Sequence, residues 1–240
     1  VHVTGPTGET AALTLTARWR EVRDAGRPWV TGHLAQSLDG HAAAADGTSR
    51  WITGATARAA VHRLRAERDA VLVGAGTLRA DDPHLAVRGL DDVTQPLRVV
   101  LDPRAEIALT ARVLDGVAPT LVVVAEDADA TRLTAAGVDV LALPVGERGL
   151  DLAALLAALH GRGVHSVLLE GGAHLAASAV AADLVDEVVA HIAPALLGAG
   201  SPVLADAGIT TITEALRLTT TDVARLGDDV AVTATVRRER

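Results

Sequence analysis

None of the 240 residues is cysteine. That excludes disulfides, thiolate metal sites and cysteine nucleophiles. Methionine, phenylalanine and tyrosine are also absent, and so are lysine and asparagine. No lysine is therefore available to form a Schiff base or act as a general base, and all 22 basic side chains are arginine. Aromatic residues are limited to Trp19, Trp29 and Trp51, so a core must be built from Val, Leu, Ala and Ile. Apolar runs are strand-sized or broken by charges, which argues against a transmembrane span. The amino terminus shows no basic region followed by an apolar block. No secretory signal is expected, and the cytoplasm is the expected location.

What is present describes a globular protein. Hydrophobic residues make up 49% of the chain, with no long polar tract to keep it disordered. The length suits one large domain or two small ones. A formal net charge of −8 disfavours general nucleic-acid binding. Between Arg50 and Arg104, however, nine arginines face seven acids, so an anionic small molecule would be accommodated there.

Organisation follows from punctuation and periodicity. Residues 1–27 read as an amino-terminal extension, partly helical around Ala11–Ala25, and Arg27-Pro28 ends it. Residues 28–240 read as a single domain. Strands are expected at Trp29–Ala35, Asp69–Val73, Leu97–Leu101, Thr120–Ala125, Val138–Leu143 and Val164–Leu169. Helices are expected from Gly54 to about Glu67, at Ala128–Ala136, Leu150–His160 and Ala173–Ala182. Val185–Ile192 and segments near Ile212–Thr220 and Val230–Val236 alternate as antiparallel strands do. The pattern predicts a three-layer α/β/α domain with a mixed, mainly parallel central sheet.

Single motifs leave function open. Val71-Leu72-Val73-Gly74-Ala75-Gly76-Thr77 starts like a dinucleotide fingerprint, but Arg79 stands where its third glycine belongs; glycine there reads as a sharp turn off a strand. Arg65 and Arg88 read first as solvated or ion-paired side chains, and second as a bidentate grip on phosphate. Asp81, Asp82 and His84 match no zinc or calcium spacing, and acids before Pro83 are usual turn formers. No metal is expected. Ser37, Ser166 and Ser178 lie outside any Gly-x-Ser-x-Gly elbow. Glu170-Gly171-Gly172 joins an apolar strand to a small-residue helix. It reads equally as a corner or as an anion site.

Read in order, the motifs have a family likeness. They are Ser37-Leu38-Asp39-Gly40, Thr48-Ser49-Arg50-Trp51-Ile52-Thr53, His62-Arg63-Leu64-Arg65, Asp69 to Thr77, Asp81-Asp82-Pro83-x-Leu85-x-x-Arg88, Leu168-Leu169-Glu170-Gly171-Gly172, Leu184-Val185-Asp186-Glu187, and Ala193-Pro194-x-Leu196-Leu197-Gly198-x-Gly200. The series, from about residue 28 to 236, resembles the reductase domain of the bacterial bifunctional riboflavin-biosynthesis deaminase/reductase. The resemblance implies a dihydrofolate-reductase-like fold and NADPH-dependent reduction of 5-amino-6-(5-phosphoribosylamino)uracil at C1′ of its ribose. It carries substrate contacts to Ser49, Arg65, Leu85, Arg88 and Glu170. Cofactor contacts carry to Ala35, Trp51, Thr77, Asp81, Gly171, Gly172, Ala173, His174, Leu175 and Ser178, and to Pro103, which stands in place of a serine. Asp39 and His33 are the candidates for the proton donor. His33 stands where many relatives have lysine, so pH-sensitivity near neutrality is expected if it must be protonated. A homodimer is expected, as is a separate deaminase protein, because that activity needs paired cysteines. The rivals are a paralogous reductase of another phosphorylated pyrimidine or pterin, and a non-catalytic nucleotide-binding module.

Overall fold

The computed structural model describes residues 26–238; the helix expected around Ala11–Ala25 lies outside them. In chain order, β1 (Trp29–Ser37) turns into β2 (His41–Ala44), followed by α1 (Ala55–Ala66), β3 (Ala70–Gly74) and α2 (Ala75–Asp81). Next come β4 (Leu97–Leu101), a 3₁₀ turn at Arg112–Leu114, β5 (Thr120–Ala125), α3 (Thr131–Ala135) and β6 (Asp139–Leu143). A hairpin of β7 (Val145–Gly146) and β8 (Gly149–Leu150) leads to α4 (Leu152–Gly161), β9 (Ser166–Leu169) and α5 (Ala173–Ala181). The chain ends with β10 (Glu187–Ala193), β11 (Gly200–Pro202), β12 (Leu218–Leu226) and β13 (Asp229–Val236).

One nine-stranded sheet runs β12-β13-β10-β1-β9-β3-β4-β5-β6. Every pairing from β10 across to β6 is parallel, whereas β13 lies antiparallel to both β10 and β12. The composition of the strands explains the order. Ala70-Val71-Leu72-Val73 and Ser166-Val167-Leu168-Leu169 are buried throughout, as parallel strands covered on both faces must be. β10 alternates buried and half-buried residues, and β12 is largely exposed at the edge.

Period-two alternation divides the core. Val30, Leu72, Val99 and Leu169 pack against Leu155 and Leu159 of α4 and Ala176 and Ala179 of α5. Val71, Val73, Val100 and Leu168 face the other way, towards Leu64 of α1 and Leu78 of α2. Asp151 caps α4 by accepting the Ala153 and Ala154 N–H groups, a contact worth about 1 kcal/mol. Asp186 fastens both ends of the described chain. It accepts Arg27 and Arg238 guanidinium hydrogens at 2.7 Å and the Val30 N–H at 2.8 Å.

Local chemistry moves some boundaries from expectation. The strand expected near Ile212–Thr220 starts late, because Glu214 accepts the N–H groups of Thr210 and Thr211 and closes a turn. The strand therefore starts at Leu218. Asp129 accepts the Thr131 N–H, which delays α3 to Thr131. The glycine segment after β3 is not merely a turn; the chain passes at Gly74 directly into α2. Parallel β1, β9, β3 and β4 thus end side by side, and the crevice outside such strand ends is where open α/β sheets bind ligands.

Candidate active site

Arg65, in the last turn of α1, meets Glu170, the first residue after β9. Nε lies 2.6 Å from Oε1 and Nη2 lies 2.7 Å from Oε2. The Glu170 backbone is anchored by its own N–H to the Leu72 carbonyl at 2.9 Å. Burial alone would raise the Glu170 carboxyl, but the Arg65 guanidinium overrides it and holds the group below the usual carboxylate range. Of the two readings of Arg65, the structure shows the ion-paired one: its charge is spent on Glu170, and the two form one neutral, directional unit. His62, one turn earlier on α1, accepts the Arg88 N–H on Nδ1 at 3.1 Å. The neutral ring must then carry its proton on Nε2. Burial, with Arg65 and Arg88 nearby, keeps His62 below the ordinary histidine value. Arg88 is exposed, and Ser49 is half-buried. Leu85 is 2% exposed with a left-handed φ of 61°. Its side chain belongs to the core, so only its backbone faces the candidate contact.

The parallel register pairs Gly32 with Leu169, so the next residues, His33 and Glu170, lie level. His33 Nε2 sits 3.2 Å from His191 Nδ1 on β10, and the rings meet edge to face at 4.7 Å. Burial is the main cause that pushes the His33 imidazole down to about 4; Glu170 opposes it, and His191 and Arg65 add to it. His33 is therefore neutral near pH 7, and the expected switching of its charge near neutrality does not hold.

Asp39 has a different task. Its carboxylate accepts the Ser37 hydroxyl at 2.5 Å and the N–H groups of Leu197 and Gly198, the latter at 2.7 Å. The Ser37 hydroxyl first, then Gly198, hold it well below the carboxylate range. An acid so strongly held in its ionised form has no proton to give, which corrects its candidacy as donor. The same contacts explain two motifs at once. Asp39 staples the β1–β2 turn to the Leu197-Gly198 loop, and a Cβ on Gly200 would run into the Ala43 carbonyl of β2.

At the glycine corner, Gly172 starts α5 with φ −63° and no side-chain cap. A Cβ on Gly171 would lie 2.5 Å from Leu175 Cδ2, whereas one on Gly172 would meet nothing nearer than Thr77 Oγ1 at 3.7 Å. Leu175 is therefore a packing plug under the corner. Ser178 donates to the Arg148 carbonyl at 3.3 Å and sits roughly 8 Å along the helix from Ala173, away from its start. His174 is exposed and Ala173 half-buried. Trp51 is 68% exposed with the Arg58 guanidinium 4.5 Å from its ring centre. Arg50 reaches the Asp81 carbonyl at 2.6 Å, tying that residue to the Trp51 loop. Half-buried Ala35 follows His33 on the same face of β1. Beyond α2, a cavity of about 300 Å³ is lined by Ala75, Leu78, Arg79, Asp102, Glu106 and Thr110, among others.

Residues 28–232 match the RibD C-terminal domain model. The chain belongs to the RibD C-terminal domain family. It is 38% identical over 208 residues to the riboflavin biosynthesis protein RibD of Aquifex aeolicus, covering 86% of this chain and 57% of that one. The chain thus spans a little over half the length of that RibD. It is 39% identical over 215 residues to the 2,5-diamino-6-ribosylamino-4(3H)-pyrimidinone 5′-phosphate reductase of Methanothermobacter thermautotrophicus, covering 88% of this chain and 99% of that one. Among solved structures, RibD of Acinetobacter baumannii superposes with a TM-score of 0.79 at 34% identity, over 89% of this chain and 59% of that one. Dihydrofolate reductase of Enterococcus faecalis shares the fold alone, with a TM-score of 0.50 at 10% identity over 88% of this chain and 97% of that one.

In this RibD-type domain the residues read from the motifs fall into two groups. Glu170, Arg65, Leu85, Arg88 and His33 gather around the end of α1. Thr77, Gly171 and Gly172 gather where α2 and α5 begin. Consecutive residues Glu170 and Gly171 join the groups. Ser178 lies apart, while Asp39 braces a loop. Sequence reading missed His62 and His191 as site residues. His62 had a signal, since it shares a helical face with Arg58 and Arg65; His191 sits in an alternating strand with nothing local to mark it. His84, considered for metal binding, instead pairs with Asp115 through Nε2 at 2.5 Å. Among the described residues, no helix is long and apolar enough to cross a membrane.

Proposed function

We propose that the chain reduces the ribose of 5-amino-6-(5-phosphoribosylamino)uracil to the ribitylamino form, using NADPH, within riboflavin biosynthesis. The observation that carries this reading is the junction at Glu170-Gly171-Gly172: a buried, directional polar pair and an uncapped helix start follow one another at the C-terminal end of the central strand β9. The corner fits a dinucleotide. Gly172 leaves open the space a Cβ would fill, and the first N–H groups of α5 have no intrahelical acceptor. Gly171, Gly172, Ala173 and Thr77 would hold the cofactor phosphates, with Ala35 and Trp51 beside the rings; NADPH, when bound, supplies the hydride. The cavity lined by Arg79 offers room for the rest of the dinucleotide.

The chain's own residues bind and orient the substrate. Glu170, ionised and fixed by Arg65, accepts hydrogen bonds from the pyrimidine amino or ring N–H groups or from sugar hydroxyls. Arg88 is the guanidinium left for the 5′-phosphate, with Ser49 and His62 as neutral donors. Fixing the ribose near the corner supplies most of the rate through proximity. A second substrate is favoured by one observation: the archaeal reductase matched over nearly its full length is named for the 2,5-diamino pyrimidinone. We further read the protein as cytoplasmic, as a homodimer through the exposed apolar residues Leu218, Val223 and Val230 of the outer strands, and as working with a separate deaminase.

The test follows the loss of reduced-nicotinamide absorbance with both pyrimidines and with NADPH and NADH. Gly172→Ala is expected to leave folding intact, because the added methyl meets nothing closer than 3.7 Å, while raising the KM for NADPH about tenfold or more. Dinucleotide binding without consumption on either pyrimidine would favour a non-catalytic module. An unchanged KM in the variant would return the corner to a purely structural part.

A further inference from the structure

The reduction consumes a proton as well as a hydride, and neither carboxylate near the site can supply one. Glu170 is paired with Arg65, and Asp39 is stapled to the Gly198 loop. His62 keeps its Nε2 proton at the α1 end of the site, beside Arg88; His33 is the group level with Glu170 on the sheet, and its Nε2 is spent on His191. Nδ1 is therefore the nitrogen His33 has left for a substrate. Among the described residues, the buried side-chain N and O atoms without a hydrogen-bond partner are His41 Nδ1, His84 Nδ1, Arg98 Nε and His160 Nδ1. Neither His33 Nδ1 nor His191 Nε2 belongs to that set, and neither has a protein hydrogen bond among the described residues; His33 is half-buried and His191 keeps 2% of its surface exposed. Two imidazoles joined at their inner nitrogens, each open at the outer one, have the connectivity of a proton wire.

We propose that His33 and His191 form a two-imidazole relay that supplies the proton of the reduction, with His191 as the positioning residue for His33. The inference rests on the reductase reading above. The nicotinamide cofactor would supply hydride to C1′ of the opened ribose, which would leave the π pair of its C=N or C=O bond on the heteroatom. That atom takes the proton from His33 Nδ1. His191 Nδ1 passes its proton to His33 Nε2, and water protonates His191 Nε2. One hydride and one solvent proton are consumed, and both rings end as the opposite neutral tautomers, which exchange back through their outer nitrogens. The relay needs no imidazolium at rest. This agrees with the burial of both rings, which lowers each of them. The charged groups facing the pair are Glu170 and Arg65 beside His33 and Asp229 beside His191.

The experiment begins with the wild type: no nicotinamide oxidation with either pyrimidine would overturn the reductase reading itself. Given turnover, His191→Leu is expected to lower kcat about 100-fold, the usual scale for lost general acid catalysis, with KM and dinucleotide affinity within about twofold. Adding His33→Lys to His191→Leu installs an ammonium donor that needs no partner, and is expected to recover at least about tenfold of the lost rate. Unchanged kcat in His191→Leu, or no recovery in the double variant, overturns the relay. If His191→Leu does not fold, single-turnover hydride transfer by the wild type in H₂O–D₂O mixtures decides. A bowed dependence shows more than one proton in flight, and a straight line overturns the relay.

Discussion

Replacing Glu170 by glutamine removes one charge from an ion pair whose side chains are only 12% and 10% exposed. At an effective dielectric of about 20 and a charge separation near 4 Å, the attraction amounts to roughly 4 kcal/mol before desolvation. Removing one partner of a buried pair costs about 3–5 kcal/mol, because the other charge is left uncompensated. Glutamine keeps one oxygen for Arg65, so the lower end, about 3 kcal/mol, applies. For a domain of this size, that lowers Tm by roughly 6–12 °C. The assay is thermal unfolding at pH 7.5 of wild type, Glu170→Gln, Arg65→Met and the double variant. The double variant should be less destabilised than the sum of the singles by about 2 kcal/mol or more. The folded fraction of Glu170→Gln should also show a raised KM for the pyrimidine. The pH dependence follows by sign. A carboxyl held below its unfolded value stabilises above that value, near 4.3, and loses the contribution as pH falls through the folded value. The gap between wild type and Glu170→Gln should therefore be constant from pH 6 to 9 and close below about pH 4. A Tm loss under about 2 °C, or strictly additive singles, would refute the reasoning.

Gly171→Ala should be worse than Gly172→Ala, since its methyl would sit 2.5 Å from Leu175 Cδ2. Overpacking of this kind costs about 1–3 kcal/mol, readable as a lower urea midpoint alongside weaker NADPH binding. His33, pushed down to about 4, favours the folded state fully only above its unfolded value near 6.5. Wild type should lose on the order of 3 kcal/mol as pH falls from 6.5 to 4, and urea titrations should show that loss much reduced in His33→Gln. On the proposed dinucleotide reading, Arg79→Ala should raise the KM for NADPH by about tenfold and leave that for NADH unchanged, because Arg79 lines the cavity beyond α2 with its guanidinium 3.9 Å from Glu106; equal effects on both cofactors would remove Arg79 from phosphate recognition.

Periodicity and punctuation were enough to fix the layers of this protein. Fully apolar Ala70–Val73 and Val167–Leu169 can only be strands covered on both faces, and the alternation of Glu187–Ala193 announces a half-covered one. Motif order grouped Arg65, Glu170 and the glycine corner, and in the fold Arg65 and Glu170 are in contact, with Gly171 next in the chain. What the sequence could not state is which of those groups spend their charge on each other. Arg65 could be read as ion-paired or as a phosphate ligand, and Asp39 as a donor, because their partners were out of view. The partner of Arg65 lies 105 residues away and the loop that Asp39 holds 159 away, although Ser37, the first partner of Asp39, is only two residues off; strand order brings the distant groups within hydrogen-bond reach. His191 was silent for the same reason, since its neighbour His33 is 158 residues distant along the chain. Side-chain chemistry is local and can be read one residue at a time. Charge state, tautomer and access depend on neighbours in space, so those were decided when β9 and β10 took their places on either side of β1.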